Sequence, residues 1–153
     1  MRLISYRTEG LAEGLGVATQ EHWLPSAELL PGGPRTMAEL LAAGPDGLAV
    51  LRTAVATDPD RIERDGAFLK TTELLAPVPR PGKIVAIGRN YREHVDEQGG
   101  DAPPAPLIFA KWPSSVIGHR AEIRWDPALA TQVDYEAELA VVIGRTARRI
   151  AES

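Results

Sequence analysis

Glu136 and Glu138 stand two positions apart in the stretch Asp134-Tyr135-Glu136-Ala137-Glu138-Leu139-Ala140-Val141-Val142-Ile143-Gly144. In an extended chain the side chains alternate faces, so the two carboxylates point the same way. Their Cα atoms then lie about 6.6 Å apart, at a rise of ~3.3 Å per residue. Two carboxylates so placed either repel each other or converge on one hard cation through oxygen ligands. The apolar run that follows marks 133–143 as the clearest strand expected in the chain. Charge at the mouth of a buried strand is costly unless something neutralises it. For E-x-E taken alone, a solvated strand end is the commoner reading.

A second constellation is Gly88-Arg89-Asn90-Tyr91-Arg92-Glu93-His94-Val95-Asp96-Glu97. If this segment is helical, His94 and Glu97 share a face at i, i+3. A carboxylate that accepts from one imidazole nitrogen orients the other to take a proton from water. A surface helix of mixed charge accounts for the same residues. Lys111 ends the apolar run 107–110 and could meet an anionic substrate or lie along the surface with its charge in water. His22 and His119 have no such partner in the sequence and read as structural or solvated, as does the pair Arg148-Arg149.

These residues need elements to position them. Arg2 to Arg7 and Gly14 to Thr19 read as short strands, and Glu21 to Leu30 can hold a third. After the breaker Pro31-Gly32-Gly33-Pro34, Thr36 and Glu39 form a capping box that opens a helix. Gly44-Pro45 ends it, and a second helix is expected from about Asp46 to Ala56. Lys70 to Pro77 is expected as a strand. Pro77-Val78-Pro79-Arg80-Pro81-Gly82 is the best boundary, since three prolines stiffen the backbone and remove amide donors. Lys83 to Gly88, Leu107 to Lys111 and Ala121 to Trp125 follow as strand candidates, with a Gly/Pro loop from Gly99 to Pro106.

Bulk properties exclude several classes. The chain has 153 residues, a net charge of -4 and no cysteine. Disulfides, thiolate metal sites and cysteine nucleophiles are therefore excluded, and the dispersed acidic charge argues against nucleic acid as a partner. No stretch approaches the ~20 apolar residues of a membrane span, and the N-terminus carries no secretory pattern. A cytoplasmic protein is the expectation.

Taken in order, P-x-P-G-K-I-V-A-I-G-R-N-Y-x-x-H-x-x-E, then P-L-I-F-A-K, then D-Y-E-A-E-L-A-V-V-I-G resemble the fumarylacetoacetate hydrolase family, from about Pro77 to Gly144. The resemblance implies an α+β, mainly β fold. Residues 1–76 would be a small, β-rich, family-variable N-terminal domain. Residues 77–153 would be the first part of a mixed β-sandwich roll that carries catalysis. It implies a homodimer and a divalent cation, Mg²⁺ first and Mn²⁺ or Ca²⁺ otherwise, held by Glu136, Glu138 and a later aspartate. It implies a water-activating dyad, His94 and Glu97, on a mobile lid, with Lys111 contacting substrate and Arg89 in the same pocket region. The substrate would be a 2-oxo or diketo acid whose carbon–carbon bond is hydrolysed. Decarboxylases, isomerases, hydratases and lyases share the family core, and a non-catalytic half-domain subunit is the alternative of another class. The family pattern enters a helix near Ser153. The third metal carboxylate and about half the sheet are therefore expected beyond this chain, which is not expected to be a competent enzyme by itself.

Overall fold

The structure, a computed structural model, describes residues 1–10, 12–97 and 99–151. Strands β1 (Arg2–Arg7), β2 (Glu13–Ala18), β3 (His22–Pro25) and β4 (Ala67–Phe68) form an antiparallel sheet in that order. Two glycines fit aromatic rings onto it. A Cβ on Gly14 would collide with the Tyr6 ring, and one on Gly16 would come within 2.7 Å of the Trp23 ring. The rings of Tyr6 and Trp23 meet with centroids 4.1 Å apart.

Helices α1 (Ser26–Leu29), α2 (Met37–Thr57) and α3 (Arg61–Asp65) accompany this sheet. Thr36 Oγ1 accepts from the Glu39 amide at 3.2 Å. The Glu39 carboxylate takes the Arg35 amide at 2.7 Å, one residue earlier than a capping box would have it. Gly44, at φ 64° and ψ −154°, breaks α2 into two helical stretches. Such a φ is open to glycine at little cost, and Pro45 suits the first turn that follows. The two helices expected on either side of Gly44-Pro45 are both present. Leu15, Val17, Leu24, Met37, Leu40, Leu51 and Ile62 form the core between sheet and helices, with Val78 packed against it.

Three strand expectations fail. Lys70 to Pro77 is a short 3-10 turn (Leu69–Thr71) followed by an extended run that touches β1 through a single bridge, Tyr6 with Leu74. That run is still held: the Leu75 amide donates to the Ser5 carbonyl at 2.9 Å, and Ser5 Oγ donates to the Pro77 carbonyl at 2.8 Å. Neither Ala121 to Trp125 nor 133–143 joins a sheet. Strand propensity is realised only against a neighbour that takes the backbone hydrogen bonds. Among the described residues no ladder reaches either run, so their apolar side chains stay exposed. The third strand ends at Pro25 and gives way to α1.

The second sheet is a hairpin-like pair. Strands β5 (Ile84–Gly88) and β6 (Leu107–Lys111) run antiparallel, Ile84 opposite Lys111 and Gly88 opposite Leu107, with helix α4 (Arg92–Glu97) in the connection. Among the described residues no helix is long and apolar enough to cross a membrane.

Two outcomes test this packing. Leu51 is fully buried, at 0% exposure, so Leu51→Ala should cost about 2–5 kcal/mol in urea denaturation. Glu63 is held below the usual carboxylate range by its hydrogen bonds with Thr19 and then with His22, whose Nδ1 lies 2.7 Å from Glu63 Oε2. A carboxyl depressed in the folded state contributes in full at neutral pH, and that contribution is lost as pH falls through its folded value. Glu63→Gln should therefore flatten the acid side of the stability profile, measured as thermal midpoint against pH.

Candidate active site

The β5–α4–β6 unit carries one half of the site. β5 ends at Gly88, and Arg89 turns the chain with a left-handed backbone, φ 54°. Tyr91 then stands at the start of α4, its carbonyl accepting the Val95 amide at 3.2 Å. Val95 is buried and anchors the helix, which leaves His94 and Glu97 at i, i+3 on a short helix. Lys111 closes β6 opposite the first residue of β5.

The other half is the extended run 133–143. Although it joins no sheet, it passes directly over the β5–α4–β6 unit. His94 Nε2 lies 3.9 Å from Glu136 Oε1, within reach of an ion pair but too long for a hydrogen bond. Lys111 Nζ lies 3.5 Å from Glu138 Oε2. The Leu139 amide donates to Tyr91 Oη at 2.9 Å. Each glutamate thus meets a different nitrogen base, and four residues picked out by type and spacing converge from three separate segments. Alternation explains why both carboxylates reach the same unit: an extended backbone needs no ladder to put i and i+2 on one side. All four side chains are partly open to water, so contacts at these distances are weak.

Arg89 is placed differently. Its Nε is buried with no hydrogen-bond partner among the described residues, and a Cβ on Gly100 would stand 3.0 Å from its Nη2. Its guanidinium therefore packs against the loop after α4. His22 and His119 take no part: His22 pairs with Glu63, and His119 donates its amide to Leu74. Tyr91 is a member of the site that sequence reasoning misses. Nothing in its type or spacing signals the role, because its partner is a backbone amide 48 positions away.

The donor set suits a hard divalent cation in kind, being two carboxylates side by side. They supply only part of a shell: among the described residues no group of three or more His, Cys, Asp or Glu side chains is arranged to hold a metal.

The family model described as fumarylacetoacetate (FAA) hydrolase C-terminal matches residues 83–153, which contain every residue of the site. The chain looks like part of a member of the fumarylacetoacetate hydrolase family. Among its relatives, the bovine (Bos taurus) mitochondrial oxaloacetate tautomerase FAHD2A is 40% identical over 120 residues, covering 78% of this chain and 36% of that protein. The oxaloacetate tautomerase YisK of Bacillus subtilis is 37% identical over 131 residues, covering 82% of this chain and 42% of that one. The chain thus spans well under half the length of these relatives. A crystal structure of a putative HpcE protein from Mycobacterium smegmatis superimposes with a TM-score of 0.57 over 82% of this chain and 41% of its own. At 22% identity that likeness establishes shared fold.

The Lys111–Glu138 contact makes a direct prediction. A double-mutant cycle of Lys111→Ala and Glu138→Ala should give a coupling of about 0.2–1 kcal/mol in stability, and the coupling should shrink as salt is raised.

Proposed function

We propose that the protein carrying this chain is a divalent-cation-dependent enzyme that moves a proton on an enolisable 2-oxo acid, interconverting keto and enol forms of a substrate such as oxaloacetate. The convergence of His94, Lys111, Glu136 and Glu138 carries this reading. Relatives that match most of this chain are named oxaloacetate tautomerases, which favours tautomerisation over the carbon–carbon hydrolysis that the family resemblance implies. The hydrolytic reading on an acylpyruvate-like acid remains the second, because the same dyad can take a proton from water.

In this reading Lys111 leaves Glu138 to bind a substrate carboxylate, a point charge well suited to an anion. His94 takes the proton from the carbon beside the ketone and returns it to the enol oxygen. Glu97 holds the imidazole in the tautomer that can do so. Glu136 and Glu138 would hold the cation, magnesium by preference, whose charge would stabilise the oxyanion that develops on the substrate. Arg89, packed behind the loop after α4, would lie in the same pocket region.

The test combines binding and chemistry. Titration calorimetry with Mn²⁺ should show binding that Glu136→Ala and Glu138→Ala each weaken by more than about tenfold, the loss of a charged ligand from a small set. In the protein carrying this chain, His94→Ala should lower oxaloacetate tautomerisation by about 10²–10⁴, the range for a general base. A loss below about threefold would remove His94 from the mechanism. Cleavage of acylpyruvate without tautomerisation of oxaloacetate would turn the assignment to hydrolysis.

A further inference from the structure

We propose that Tyr91 is a positioning residue for the carboxylate pair: its phenol oxygen accepts the Leu139 amide and so fixes the direction in which Glu136 and Glu138 point. The inference rests on the reading of those glutamates as cation ligands. Its starting point is the state of the backbone that bears them. No ladder holds 133–143 among the described residues. A single peptide at Leu139 is tied instead to a side chain from another segment, at 2.9 Å.

Both ends of that tie matter. Tyr91 sits on a fixed backbone, since its carbonyl accepts the amide of buried Val95 and opens α4. Leu139 directly follows Glu138, so holding its N–H fixes the plane of the peptide joining the two residues. Glu136 lies one alternation further back and is carried along on the same side. The acceptor and His94 belong to the same short segment, 91–97. Tyr91 therefore sets the carboxylates in register with the very helix that bears the proposed base. A phenol suits this role because it accepts from an amide without adding charge between two carboxylates. Its rigid ring also reaches further than a serine or threonine hydroxyl could.

The leucine itself is 83% exposed. Water therefore competes for its amide, which limits the effect to a modest one with a defined location. Tyr91→Phe keeps the ring and deletes only the acceptor. Amide exchange followed by NMR in the 153-residue chain should quicken at Leu139 and leave α4 unchanged. Mn²⁺ affinity measured by calorimetry should fall roughly threefold to tenfold, the factor one net hydrogen bond is worth. The thermal midpoint should hold. Unchanged exchange at Leu139 would show that the phenol does not restrain that peptide, and the inference would fall. So would faster exchange along all of α4 with a lower midpoint, which marks a merely structural residue. Glu138→Ala separates the two layers. If it abolishes Mn²⁺ binding while Tyr91→Phe leaves it intact, the inference alone is overturned. If it leaves binding intact, the proposed cation site is overturned and the positioning role goes with it.

Discussion

Two negative charges held on one side of an extended backbone are the constraint around which the second half of this chain is arranged. Left alone, Glu136 and Glu138 would push each other apart. Here each faces a basic group, the imidazole of His94 or the ammonium of Lys111. Neither pair is buried, so the gain is small in free energy. Its value lies in selection of conformation. The crossing that the run 133–143 makes over the β5–β6 pair brings one carboxylate to the imidazole and the other to the ammonium.

The first half is held by different forces. Its sheet and helices share an apolar core, and its polar exceptions are satisfied: Ser5 and Ser26 are buried and each donates its hydroxyl to a proline carbonyl. Glycines at positions 14 and 16 remove side chains where rings must lie flat against the strand. The candidate site residues all lie beyond the proline-rich segment.

How legible this is from sequence depends on the range of the physics involved. Local signals are sufficient for β1, β2, β5, β6 and the broken α2, where alternation, capping or a Gly-Pro pair decides the outcome within a few residues. The spacing of Glu136 and Glu138, and of His94 and Glu97, is likewise readable, because it follows from backbone geometry alone. Pairing is not readable in this way. Nothing in residues 133–143 reveals whether a neighbouring strand receives them. Nor does Tyr91 announce an amide 48 residues away as its partner. Lys70 to Pro77 has the composition of a strand, whereas its backbone bonds to β1 run singly without a continuous ladder.

The hydroxyl of Ser5 has a mechanical meaning that its small size conceals. It grips the carbonyl of Pro77 at 2.8 Å, while its own carbonyl receives the Leu75 amide. Prolines at 77, 79 and 81 then limit the rotations available to the chain as it leaves that grip. A segment clamped at its root and stiffened by three prolines leaves few paths between the first sheet and Lys83, the residue before β5. A substitution in the middle of β1, far from any carboxylate, would therefore act on the site as a change of angle.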